Sequence, residues 1–141
     1  QVLEKNPKTV KIVFKNFPIR SHKFAIQAAL AALAAERQGK FWDFHDELFK
    51  HYDRLNEEKV QEIAEKLKLD MEQFEKDRQD TLLMEQIKYD YNEGIRIGVR
   101  SVPTVFVNGR KLKARTLEGF QALIDKELEN LKQTGNAVNF N

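Results

Sequence analysis

Apolar and polar residues change their period along this chain, and each change marks an element. Gln1-Val2-Leu3-Glu4-Lys5 reads as the end of a helix, stopped at Asn6-Pro7 because proline lacks an N–H donor and restricts the residue before it. Val10, Ile12 and Phe14 then alternate with Lys11 and Lys15 while Val13 is also apolar, so Val10–Phe17 predicts a strand covered on both faces and ended by Pro18. From Lys23 to Arg37 the period becomes helical: Ile26, Leu30 and Leu33 fall on one stripe, and the alanines around them allow close packing. Gly39 ends that helix. A second helical stretch places Phe41, Phe44, Leu48 and Tyr52 along one side, and a third, capped by Asn56, carries Val60, Ile63, Ala64 and Leu67. Asp70 with Gln73 resembles a capping box for a short helix bearing Met71 and Phe74, and Asp80 caps a longer one in which Leu83, Ile87, Tyr91 and Ile95 recur up to Gly98.

Beyond Gly98 the pattern alternates. Thr104–Val107 and Arg110–Ala114 predict two short strands joined by Asn108-Gly109, a dipeptide that accepts positive φ cheaply and suits a tight hairpin. Thr116 caps a last helix with Leu117, Phe120, Ile124 and Leu131 on its inner face, and Gly135 lies in a polar tail, 133–141. The order is helix end, strand, helical block, hairpin, helix. It predicts one α/β domain over 1–132 with a helical insertion at about 22–97, and no repeats or linkers interrupt it.

Composition narrows the chemistry. The chain has 141 residues, 41% of them hydrophobic and 33% charged, which suits a globular domain with a real core. Its longest apolar run, Ala28–Ala35, is far below the ~20 residues that cross a bilayer, so no membrane span is expected. The formal net charge of +2 arises from nearly balanced acids and bases, which argues against nucleic acid as a partner. There is no cysteine, which removes disulfides, thiolate nucleophiles and cysteine metal sites. Because the chain opens on Gln1 and not on methionine, it is expected to be a processed or truncated product.

Three segments carry a family resemblance. They are Val10-Lys11-Ile12-Val13-Phe14-Lys15-Asn16-Phe17-Pro18-Ile19, Gly39-Lys40-Phe41-Trp42-Asp43-Phe44-His45-Asp46-Glu47-Leu48-Phe49, and Gly98-Val99-Arg100-Ser101-Val102-Pro103-Thr104-Val105-Phe106-Val107-Asn108-Gly109. In that order they resemble the DsbA-like branch of the thioredoxin superfamily, over about Val2 to Leu131. The resemblance implies a strand after the active-site helix, the start of a helical insertion, and a cis-proline loop followed by its hairpin. It also implies that Ser101, Val102 and Pro103 hold extended substrate by strand addition.

The family's first strand and its Cys-x-x-Cys motif have no counterpart here, so the expected architecture is an incomplete thioredoxin fold. Disulfide exchange needs a thiolate stabilised at a helix start, and this chain is expected to be redox-inert. The parent protein implied by resemblance is a thiol–disulfide oxidoreductase acting on unfolded or disulfide-bearing proteins in the periplasm or otherwise outside the cytoplasm, without a cofactor. In the family arrangement the missing strand is central, which leaves two unpaired edges. Another segment is then expected to fill the gap: a second copy, giving a homodimer through strand exchange, or the Ala137–Phe140 tail. Two other readings stay open: a non-catalytic peptide- or partner-binding module, and a relative of the kappa-class glutathione transferases.

The remaining candidates have plainer readings. His45 and His51 are six apart and leave a helix in different directions, and His22 sits near a helix start, so no metal site is expected. Asp43 and Glu47 form an i, i+4 carboxylate pair open to acid–base work, although a solvated face beside Lys40 and Lys50 is the plainer reading. Phe41, Trp42, Phe44 and Phe49 either line a peptide groove or, more plainly, form core. Arg110, Lys111, Lys113 and Arg115 alternate between strand faces and read as protection of an edge, and Gly94 and Gly98 lack the phosphate-loop pattern.

Overall fold

Alanine has the highest helix propensity and leaves no side chain to hold neighbours away. Its concentration between Ala25 and Ala35 therefore makes the helix that others pack around. The computed structural model describes residues 1–19 and 21–133. The chain falls into two compact units, one formed by Lys15–Gly98 and the other by Gln1–Phe14 together with Val99–Asn141.

The Lys15–Gly98 unit is all-helical, with α2 (Ala25–Glu36), α3 (Phe41–Lys50), α4 (Glu57–Lys66), α5 (Met71–Arg78) and α6 (Thr81–Arg96). Helix α2 packs against each of the other four. Its buried face is Ala28, Ala31, Ala32, Leu33, Ala34 and Ala35; of the expected stripe Leu33 is buried, Leu30 packs half-buried against the core, and Ile26 is 43% exposed. A helix surrounded on several sides buries its small residues all round, so the single-stripe pattern fails there. Phe44 and Phe74, both fully buried, meet at 5.6 Å between ring centroids beneath it. The expected caps are present: Asn56, Asp70 and Asp80 each accept a hydrogen bond from a first-turn amide, of Lys59, Gln73 and Leu82 respectively. Gln73 does not close a capping box. Its side-chain amide donates to Asp77 instead, because Asp77 is buried and takes Arg37 as well. Tyr52 follows α3 in a 3-10 turn and is 76% exposed, so it is not on the buried side expected for it.

The other unit holds α1 (Val2–Lys5), a hairpin of β1 (Phe106–Val107) and β2 (Arg110–Lys111), and α7 (Leu117–Gln133). The hairpin is antiparallel, with Phe106 opposite Lys111 and Val107 opposite Arg110. Asn108 and Gly109 have φ of 47° and 79°, as a two-residue turn matched to strand twist requires. Asn6, buried after α1, exchanges two hydrogen bonds with the Gln121 side chain of α7.

The strand expected at Val10–Phe17 does not form. Among the described residues the only strands are β1 and β2, shorter than the expected Thr104–Val107 and Arg110–Ala114. Val10–Phe17 has no regular secondary structure, with Ile12 47% and Val13 67% exposed. A strand exists only as one side of a ladder, and side-chain alternation alone does not supply the partner its amides need. What is present is mostly helical with a two-stranded sheet, consistent with an incomplete α/β thioredoxin-like fold. Gly135 and the Ala137–Phe140 tail lie outside the described residues.

Candidate functional site

Ser101, Val102 and Pro103 form an exposed loop between buried Val99 and the hairpin. The Val102–Pro103 peptide bond is cis. Two side chains fasten the loop from its own unit. Thr104 Oγ1 donates to the Ser101 carbonyl at 2.6 Å, and Arg115 Nη1 donates to the Pro103 carbonyl at 3.0 Å. The hairpin ladder is prolonged by the Leu112 amide donating to the Val105 carbonyl at 2.8 Å. Leu112 is buried, whereas Lys111 and Lys113 on either side of it are exposed.

Arg115 reaches Pro103 because the chain turns tightly into α7. Thr116 Oγ1 caps that helix by accepting from the Gly119 amide at 3.1 Å. Glycine is required at 119 because a Cβ there would lie 2.3 Å from the Ala114 carbonyl oxygen. Arg110, on the face of β2 opposite to Lys111, meets the buried Glu127 of α7 at 2.6 Å. The basic run is thus divided. One cation is used to hold the hairpin to α7, one is placed on the loop, and two are left in water.

The other candidates are accounted for inside the helical unit. Glu47 is buried, contrary to the solvated face expected for it, and receives Lys50 and Lys66, each at 2.7 Å. Those two ammonium groups hold its carboxyl well below the usual range, at about 2. Asp43 pairs with Lys40 at 3.1 Å, so the two carboxylates do not share a site. Of the four aromatics read as core only Phe44 is fully buried; Trp42 is 48% and Phe49 64% exposed. Helix α3 buries Phe44, Glu47 and Leu48, and the residues on its other side stack on one another. There the His45 ring lies 5.4 Å from Trp42, 5.9 Å from Phe41 and 4.6 Å from Phe49. His45 Nδ1 faces Asp46, while His51 accepts from Arg54. Among the described residues no three His, Cys, Asp or Glu side chains are grouped to hold a metal.

Sequence reasoning found the loop but not what fixes it. Nothing in the spacing links Arg115 to Pro103, twelve residues apart, since only the hairpin brings them together. A second omission is Asp90 of α6, buried and accepting from the Asn16 amide at 3.0 Å, the Asn16 side chain at 3.1 Å, Lys15 at 3.2 Å and Gln86 at 2.9 Å.

The family model for thioredoxin matches residues 1–126. The chain therefore belongs to the thioredoxin family, and its relatives link it to the DsbA-like members. It is 32% identical over 128 residues to the probable disulfide bond formation protein D of Bacillus anthracis, covering 85% of this chain and 58% of that protein. Against the protein of the same name from Bacillus cereus it is 31% identical over 128 residues, 85% of this chain and 59% of the relative. It is also 36% identical over 104 residues to the Na(+)/H(+) antiporter NhaA 3 of Salinispora tropica, 73% of this chain but 16% of the antiporter. The chain thus spans under two thirds of each of these relatives. No solved structure matches it. Among the described residues no helix is long and apolar enough to cross a membrane.

Proposed function

We propose that these residues form the substrate-holding part of a DsbA-like thiol–disulfide oxidoreductase that acts on unfolded or disulfide-bearing proteins outside the cytoplasm. The observation that carries this reading is the exposed Ser101–Pro103 loop, fastened by Thr104 and Arg115, in a chain of the thioredoxin family related to disulfide bond formation proteins. In such a protein an extended substrate segment lies beside the loop and pairs with its free backbone groups. The domain is read as 1–132, with about 22–97 as its helical insertion and 133–141 as a polar tail.

Disulfide opening requires a thiolate to attack one sulfur and expel the other. With no cysteine, these residues are redox-inert by themselves, and the dithiol of the working enzyme is supplied by residues outside them. The Val10–Phe17 segment then pairs with a strand from the same source, or with a second copy by strand exchange. Sequencing the reading frame around the Gln1 codon, with the intact mass of the native product, tests this. A Cys-x-x-Cys in the same polypeptide and exchange activity in that product are the expected results. A native product without any cysteine would sink the oxidoreductase reading.

The absence of cysteine supports a second reading, a non-catalytic module that uses the same loop to bind peptides or a partner. It predicts binding of unfolded polypeptide at the loop by a native product that lacks a dithiol.

A further inference from the structure

The nearly neutral chain conceals two oppositely charged halves. The unit of Gln1–Phe14 and Val99–Asn141 holds ten basic and five acidic residues, a formal +5. Lys15–Gly98 holds fourteen basic and seventeen acidic residues, a formal −3. Within the first unit the imbalance is concentrated at the loop: from Val99 to Leu117 there are five basic residues and no acid. Arg110 is neutralised by Glu127. Arg100, Lys111, Lys113 and Arg115 are exposed, and among the described residues none has a carboxylate at ion-pair distance.

We propose that the Ser101–Pro103 loop selects extended polypeptide segments that carry Asp or Glu beside the docking point, with Arg100 and Arg115 as the residues that read them. The proposal rests on the loop being the substrate site, as argued above, and adds the chemistry of what it takes. Arg115 is positioned for this: one of its five N–H donors is held by the Pro103 carbonyl, which fixes the guanidinium against the loop with the others open to a ligand carboxylate. Arg100 precedes Ser101 directly, so a segment lying along the loop meets a guanidinium on each flank and the 44%-exposed Val102 between them. Lys111 and Lys113 add a positive field without fixed geometry. A polypeptide is favoured over a nucleic acid because the loop offers apolar surface and backbone groups, whereas a basic nucleic-acid site interleaves its cations with stacking aromatics. Between Val99 and Leu117 the single aromatic is Phe106, and it is half-buried.

The test is an NMR and anisotropy titration of the chain with two labelled peptides of equal length and apolar content. One carries Asp and Glu at the positions where the other carries Asn and Gln. At low ionic strength the acidic peptide is expected to bind roughly fivefold more tightly, an advantage that shrinks as salt approaches ~0.15 M. Both peptides should shift the amides of Ser101, Val102 and Thr104. R100Q and R115Q together should bring the ratio of affinities close to one, and Lys126→Gln on exposed α7 surface should leave the ratio as it was. Equal affinities with the loop amides shifted would overturn the proposal and spare the site. If neither peptide shifts those amides, the substrate-site reading falls and takes the proposal with it. Tighter binding of a single-stranded oligonucleotide, lost in the same double variant, would also overturn it, because the patch would then serve nucleic acid.

Discussion

The two units of this chain solve the problem of burying a backbone in opposite ways. Among the described residues eighteen hydrophobic ones are buried; fifteen lie in Lys15–Gly98 and three, Val99, Leu112 and Ile124, in the other unit. Helices satisfy their own amides, so a helical unit needs nothing from outside except packing, and α2 with its alanines provides that. A sheet takes its hydrogen bonds from distant segments. Among the described residues, the unit built around the hairpin has two strands of two residues each, and 11–14 are irregular and exposed. The same contrast appears in charge: the helical unit places cations on its buried carboxylates, while the loop and hairpin, Arg110 apart, keep theirs in solvent. Stability therefore resides mainly in one unit, and the exposed loop with its cations in the other.

The largest effect that tests this contrast is a cavity in the helical core. Phe74→Ala removes a fully buried ring that packs on Phe44 and should cost about 3–5 kcal/mol, read as a lower midpoint in urea unfolding. Ile124→Ala, in the centre of the sparse core of α7, should cost about 2 kcal/mol, at the lower limit for such truncations, because few buried neighbours are left around the cavity. Equal losses for the two variants would break the comparison.

The boundary between the units can be tested at Asp90. Its carboxylate holds Lys15 and Asn16, the first residues of the helical unit, whereas Ile12 and Val13 just before them are exposed. Asp90→Ala strands the buried Asn16 amide and side chain and should cost about 2–3 kcal/mol, with Asp90→Asn, which keeps an acceptor, costing less. Hydrogen exchange sharpens the point: the Asn16 amide should exchange slowly and those of Ile12 and Val13 fast, and equal rates would erase the boundary.

Much of the helical unit was legible because helices are local. The caps at Asn56, Asp70 and Asp80, and Thr116 in the other unit, needed only a polar residue before an apolar period. The loop at Ser101–Pro103 was legible by family resemblance. Val10–Phe17 was misread because its alternation describes a strand's faces and is silent on whether a ladder exists. The burial of four acids was missed, Glu47 being read as part of a solvated face, although they carry a local signal. Glu47, Asp77, Asp90 and Glu127 each stand three residues after a buried apolar residue, Phe44, Phe74, Ile87 and Ile124. That spacing puts each acid on the buried face of its helix, where a carboxylate persists only if a cation or amide reaches it. Only Lys50, three residues after Glu47 on α3, follows the helix period; Lys66, Arg37, Lys15 and Arg110 come from elsewhere in the chain, and no periodicity announces them.

A smaller effect probes the hairpin. Gly109→Ala forces a Cβ into φ of 79°, which should cost about 1 kcal/mol and be felt only in the unit that carries β1 and β2. Chemical-shift changes that spread into α2–α5 would show that the units do not respond separately.

The smallest expected effect is acid sensitivity at Glu47, and its sign follows from its two lysines. Lys50 and Lys66 lower the Glu47 carboxyl from 4.5 to about 2 in the folded chain. Between those values the unfolded chain binds the proton and the folded chain does not, so the contribution of Glu47 is present in full above about pH 4.5 and is lost as the pH falls toward 2. Both lysines are well exposed, so the contribution is a small one, and Glu47→Gln should lower stability slightly near neutrality and flatten this acid limb. Thermal midpoints measured from pH 6 to pH 2 for the two proteins check it, since roughly equal midpoints are expected only at the acid end, where Glu47 is itself protonated. If the variant kept the wild-type slope, the acid response would have to come from other carboxylates, and the burial of Glu47 would contribute packing of α3 against α4 without a pH signature.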